Sequence, residues 1–178
     1  EKIEAEADDK IWPRYNEELR ILAEKHIAQE RDSLLLKFYK KYLGAALNNE
    51  GVLKQNKGNS KEALMLYEKA LLLRKEAGDE RGIAETMNNL GHVYHTQGNI
   101  PVAIDYYRKS LAIQERIRDL EGMSTSLLNL GVIFNDQGDH DLARKSIEQS
   151  LQILQESGDE YGLSYALNNL AKMFEVEG

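Results

Sequence analysis

The sequence predicts an all-α chain built as a solenoid of stacked helix-turn-helix hairpins. Two observations lead there: a forty-residue internal repeat, and two amphipathic helical patterns inside each period. Asn48-Asn49-Glu50-Gly51, Asn88-Asn89-Leu90-Gly91, Leu128-Asn129-Leu130-Gly131 and Asn168-Asn169-Leu170-Ala171 recur forty residues apart. Gly58, Gly98, Gly138 and Gly178 keep the same register, as do Ala63, Ala103 and Ala143, then Leu71, Leu111 and Leu151. Asp79, Asp119 and Asp159 follow, each with a glycine three residues on, at 82, 122 and 162.

The elements follow in chain order. Glu1–Asp9 holds five acids and one lysine and reads as a solvated tail. Residues 10–41 hold an amphipathic helix over Lys10–His26, marked by Trp12, Tyr15, Leu19, Leu22 and Ala23, and the start of a longer one. Asp32 or Ser33 can cap that longer helix, which runs to about Asn56. Three full repeats are expected at 42–81, 82–121 and 122–161, with the first helix of a fourth at 162–178. In the second repeat Met87, Leu90, Gly91 and Tyr94 share one face, and Gly98-Asn99 divides the two helices. Gly98 suits a left-handed stop, Asn99 a cap, and Pro101 the first turn of the next helix. Gly58-Asn59, with Glu62 placed for a capping box, and Gly138-Asp139 are the equivalents. The second helix buries Ala103, Tyr107, Ser110 and Leu111 and frays near Arg118-Asp119. One hairpin cannot cover its own apolar stripe, so neighbouring hairpins must stack. The absence of a starting Met and the uncovered Leu167, Leu170 and Phe174 suggest a piece of a longer repeat protein.

Composition narrows the function. Of the net charge of −7 over 178 residues, −4 lies in Glu1–Asp9. An acidic chain of this kind argues against nucleic acid as a main partner. No apolar stretch approaches the ~18 residues that span a bilayer, so no membrane insertion is expected. Without cysteine there is no disulfide framework and no thiolate site, and cytoplasm and bacterial periplasm suit the chain equally. The glycines punctuate helices and form no phosphate loop, and Asp79-Glu80 and Asp159-Glu160 sit in turns. No enzyme activity, catalytic residue or cofactor is expected. His92 and His95, spaced i, i+3, could share a metal only with Asp136 as a third ligand, so no metal site is expected either.

The pattern resembles the tetratricopeptide repeat (TPR) family in a forty-residue form. Leu90, Gly91, Tyr94, Ala103, Tyr107 and Ser110 carry the likeness in the second repeat, and Leu130, Gly131, Phe134, Ala143, Ile147 and Ser150 in the third. The first repeat is degenerate, with Glu50 and Lys54 where leucine and tyrosine are expected. The resemblance implies a right-handed solenoid whose first helices line a concave groove. It places a ladder of Asn49, Asn89, Asn129 and Asn169 in that groove, with Asn48, Asn88 and Asn168 beside it. Gln55, His92, His95, Asn135, Thr125 and Tyr165 lie nearby as selectivity positions. Carboxamides offer a donor and an acceptor each, so a row of them can hold a peptide backbone. Kinesin light chain-like and bacterial peptide-sensing TPR arrays use asparagine in this way. The same residues could instead fix helix stacking, since asparagine is a middling helix former and needs a reason mid-helix.

The expected function is a non-enzymatic scaffold that binds a protein or peptide segment, serving as the sensory or docking region of a larger bacterial signalling protein. The alternative is a self-assembly module, a homo-oligomer stacked through solenoid ends.

Overall fold

The computed structural model describes residues 17–18, 20–27 and 33–177, with backbone only at 161, 165 and 172–177. The acidic tail, Trp12, Tyr15, Leu19 and Gly178 lie outside the described residues, as do the side chains of Tyr165 and Phe174. The described part of the expected first helix is helical (α1, 20–27). Next come α2 (Ser33–Asn56), α3 (Ser60–Ala77), α4 (Glu80–Thr96), α5 (Ile100–Ile117), α6 (Leu120–Asp136), α7 (His140–Ser157) and α8 (Glu160–Glu177). No strand occurs among the described residues. The chain divides into two compact units, 1–89 and 90–178, with the boundary inside α4.

In the first unit Ala23, Leu43, Leu47 and Ala70 form the core, with Ile27, Leu66 and Leu73 packed against it. In the second, Ala103, Tyr107, Ile133, Ala143, Ile147 and Ala166 are its most buried members. Small residues in the second helix of each pair allow the first helix to come close. The closest approach sets a glycine backbone against a large side chain. A Cβ on Gly51 would lie 2.6 Å from Tyr67 Cε1, and one on Gly91 would lie 2.8 Å from Tyr107 Cε1. One on Gly131 would lie 2.6 Å from Ile147 Cγ1. Such distances leave no room for any side chain but hydrogen.

The helix ends depart from expectation. Asn59, Asn99 and Asp139 precede α3, α5 and α7, yet none of their side chains makes a capping hydrogen bond. Their backbone N–H groups instead complete the stop of the preceding helix: Asn59 N donates to Lys54 O (2.9 Å), Asn99 N to Tyr94 O (2.9 Å), and Asp139 N to Phe134 O (2.8 Å). With Gly58, Gly98 and Gly138 in the left-handed region and donating to the carbonyls of Gln55, His95 and Asn135, these are Schellman closures. The resulting ψ of 60–68° is far from the extended backbone that brings an Asn side chain onto the following turn. Glu62 forms no part of a capping box here; its carboxylate pairs with Lys54. Side-chain capping occurs between repeats, where Asp119 accepts from Gly122 N (3.4 Å) and Asp159 from Gly162 N (3.0 Å).

The stops between repeats, at Gly78, Arg118 and Gly158, were not foreseen as such. Arg118 takes the left-handed conformation at φ 56°, where its neighbours in register are glycine. A non-glycine residue is strained there. Arg118→Gly is expected to stabilise the chain by about 0.5–1 kcal/mol, raising Tm by roughly 1–4 °C in thermal unfolding; a fall would contradict the assignment.

Candidate functional site

Unit one carries a buried polar corner where α2, α3 and α4 meet. Arg74, near the end of α3, is 3% exposed. Its Nη1 donates to Gly82 O (2.6 Å), Thr86 Oγ1 (2.7 Å) and Glu85 Oε2 (3.2 Å). The Nε lies 3.9 Å from Asp79 Oδ2. Glu85 ties this corner to the asparagines: Asn48 Nδ2 donates to Glu85 Oε1 (2.8 Å), and Asn89 Nδ2 donates to Asn48 Oδ1 (3.0 Å). Asn48 is 1% exposed, with donor and acceptor both engaged. The expectation that Asn48 lines a groove is therefore corrected: burial and hydrogen bonding give it a stacking role. Asn88 is buried too, while Asn49 is exposed and Asn89 half-buried. Gln55 is half-buried and accepts from the Tyr67 hydroxyl (2.8 Å). Burial, with Glu85 nearby, pushes the Tyr67 phenol well above its usual range.

Unit two repeats the geometry with different chemistry. Gln114 stands in the register of Arg74, and its Oε1 accepts from Ser126 Oγ (2.7 Å). One repeat later the positions hold Leu154 and Ala166, both buried. The pairs Arg74/Thr86, Gln114/Ser126 and Leu154/Ala166 thus run from ionic to polar to apolar. Aligning the columns at period forty would have revealed this, since residue identity changes in step at both positions. The recurring Gly82, Gly122 and Gly162 belong to the same corner. A Cβ there would meet the side chain of Arg74, Gln114 or Leu154 within 2.8 Å.

The remaining candidates spread along α4, α6 and α8. His95 Nε2 lies 3.2 Å from Asp136 Oδ2, joining α4 to α6. His92, one turn earlier, keeps a solvent-exposed surface, yet the protein packed around its ring desolvates it enough, with His95 adding repulsion, to hold its pKa below the ordinary value. Asn135 is half-buried, with Oδ1 3.2 Å from His140 Nδ1. Among the described residues no group of three or more His, Cys, Asp or Glu is placed to hold a metal ion. Asn129 is half-buried and Thr125 exposed, and both line a cavity of about 260 Å³. Asn168 is exposed and Asn169 half-buried. The Asn169 Nδ2 atom is itself buried and without an acceptor, because its neighbour in register is Leu128 where Asn89 has Asn48.

The arrangement sorts each asparagine pair into two columns. Positions 48, 88 and 128 are buried, whereas 49, 89, 129 and 169 keep exposed surface; the last pair departs from this, with Asn168 exposed as well. The chemistry offered is polar recognition by carboxamide and imidazole groups. The buried corner yields a sharp expectation. Arg74→Leu should cost about 1–3 kcal/mol, because Gly82 O, Thr86 and Glu85 lose their donor and Asp79 keeps only Lys41, 3.6 Å away. Thr86→Ala should cost less in that background than alone, with a coupling of about 0.5–3 kcal/mol in a urea double-mutant cycle. Simple additivity would contradict the network.

A family model described as Tetratricopeptide repeat matches residues 42–116 and 122–175. No curated protein matches the chain in sequence. Among solved structures, BtubC (BKLC) from P. vanneervenii is similar over 99% of this chain and 78% of its own, at 22% identity and a TM-score of 0.70. Aspartyl phosphate phosphatase F from Bacillus subtilis aligns with 92% of this chain at 14% identity and a TM-score of 0.69, and the chain spans 49% of its length. Kinesin light chain-like TPR repeats of Podosopora anserina align over 97% of this chain and 86% of theirs, at 16% identity and a TM-score of 0.60. At these identities the structures speak to fold alone. No helix among the described residues is long and apolar enough to cross a membrane. The repeat register, the glycine-backed hairpins and the family match over most of the chain agree: this protein belongs to the tetratricopeptide repeat family, an all-α scaffold of the protein-interaction class.

Proposed function

We propose that the chain docks an extended protein or peptide segment on the first helices of its hairpins. The exposed asparagine column carries the reading. Asn49 and Asn89 in the first unit, and Asn129 and Asn169 in the second, keep surface mid-helix where asparagine gains nothing from helix propensity. Their carboxamides suit a peptide backbone, with its alternating donors and acceptors. Gln55, His92, His95, Asn135 and Asn168 flank the column and give selectivity, while buried Asn88 falls with Asn48 on the stacking side. The role fits a non-enzymatic docking or sensory region of a larger bacterial signalling protein.

A second reading, self-assembly, is favoured by exposed apolar side chains on α2 and α8, with Leu34 77%, Phe38 51% and Leu167 49% exposed. The two separate by where substitutions act. A displayed library of short peptides, screened against the wild type and a variant with Asn49, Asn89, Asn129 and Asn169 all changed to Ala, tests docking. Because each lost hydrogen bond is worth about 0.5–1.5 kcal/mol, selected peptides should bind the folded variant at least tenfold more weakly. Circular dichroism and melting are read alongside, since Asn89 also holds Asn48. Peptides indifferent to the four asparagines would sink the docking reading. Loss of self-association on Leu34→Glu and Leu167→Glu would support the second.

A further inference from the structure

The two units fill the same corner differently. In the first, a guanidinium from within the chain occupies it: Arg74, held by Gly82 O, Thr86 Oγ1 and Glu85, beside the Asp79 carboxylate. Eighty residues on, the corner between α6, α7 and α8 has the same aspartate and glycine, Asp159 and Gly162, but Leu154 in place of the arginine. Leucine is short and brings no cation. The corner there contains a cavity of about 260 Å³ bordered by Glu121, Ser124, Thr125, Leu128, Leu154 and Asp159, among others.

We infer that this cavity receives the guanidinium of an arginine side chain from the docked partner, doing from outside what Arg74 does from inside. The inference rests on the docking reading and names the chemistry of one partner side chain. Size supports it, since about 260 Å³ falls below the ~300–1,000 Å³ of small-molecule sites and suits one long side chain. The lining is divided in the way such a side chain needs. Leu128 and Leu154 face the aliphatic stem, while Glu121 and Asp159 supply two carboxylates for the head.

Hydrogen bonding points the same way. The Ser124 hydroxyl donates to Glu121 O (2.8 Å), and the Thr125 hydroxyl donates to the same carbonyl (3.1 Å). Both hydroxyls are left with lone pairs alone to offer. Asp159 uses Oδ1 to accept from Gly162 N, and Oδ2 remains an acceptor. The cavity is thus rich in acceptors, and guanidinium carries five donors and no acceptor. The first unit supplies a partial precedent: the residues in register, Asp79 and Gly82, border a guanidinium there. Its side-chain acceptors Glu85 and Thr86 have Tyr165 and Ala166 as counterparts, so here the acceptors come from Glu121, Ser124 and Thr125 on α6. A planar fork also matches paired acceptors better than a compact ammonium does.

The test titrates N-acetyl-arginine amide, with its lysine and citrulline counterparts, into the ¹⁵N-labelled chain while following the amides of Ser124, Thr125 and Gly162. Arginine should give saturable shifts, lysine at least fivefold weaker binding, and citrulline no saturation. Glu121→Gln should weaken arginine binding about tenfold. Leu154→Arg, which refills the corner from within, should abolish the response. Equal responses to citrulline, or shifts unchanged by Glu121→Gln, overturn the inference, and this pair decides even if Leu154→Arg fails to fold. The peptide library separates the two readings. Selected peptides lacking arginine overturn this inference and leave docking standing. A wild type that binds arginine amide at the cavity but selects no peptide overturns docking and leaves the cavity's chemistry in place.

Discussion

Each hairpin depends on a place where a helix backbone lies against a side chain with nothing between. Gly51 against Tyr67, Gly91 against Tyr107 and Gly131 against Ile147 are such places, and a methyl group at any of these glycines would overlap its partner. Glycine mid-helix costs about 1 kcal/mol relative to alanine, so its recurrence requires compensation from packing. The compensation is close approach: a full ring or branched side chain is buried completely, and the two helices lock in rotation about their axes. Once that rotation is set, the residue three before each glycine turns inward and the residue two before turns outward. The division of Asn48 from Asn49, one buried and one exposed, follows from this contact.

The second organising feature is the corner at the end of each second helix. Three versions of one position, Arg74, Gln114 and Leu154, answer the same geometric demand with charge, amide and hydrocarbon. A buried arginine is favourable only when its donors are met, and Arg74 reaches three acceptors, Glu85 among them, through Nη1, while its buried Nε makes no hydrogen bond and has only the Asp79 carboxylate at 3.9 Å. The apolar version needs no partners and leaves unoccupied volume beside Asp159. Repeats that share a backbone can thus differ in whether they keep a cation or leave room for one, and this divergence gives otherwise similar hairpins different recognition chemistry.

Much of this was legible in the residues. The period of forty located every helix of the repeats, because glycine, alanine and the Asn-Leu-Gly signature each mark a fixed turn of a fixed helix. The long α2 spans Ser33–Asn56, and its end matches the expected stop near Asn56. Capping was misread at Asn59, Asn99 and Asp139 because the same residue type serves as a cap and as the last donor of a Schellman closure. Only the backbone dihedral separates those uses, and it depends on the glycine immediately before. Arg118 escaped notice as a left-handed stop for a similar reason: its side chain gives no sign of the conformation its neighbours impose. In the candidate site, the resemblance grouped Asn49, Asn89, Asn129 and Asn169, and each keeps some exposed surface. The fate of Asn48 was not legible, because it depends on Glu85 and Asn89, thirty-seven and forty-one residues away in sequence.

The glycine contact can be tested by the sign of an energy. Gly91→Ala, measured by urea unfolding in the wild type and in a Tyr107→Ala background, separates packing from helix propensity. The account predicts destabilisation of about 1–3 kcal/mol in the wild type, where the new methyl overlaps the ring. With the ring removed, it predicts stabilisation of up to about 1 kcal/mol, where only propensity remains. A Gly91→Ala substitution that is neutral or stabilising with Tyr107 in place would contradict the claim that this contact sets the hairpin.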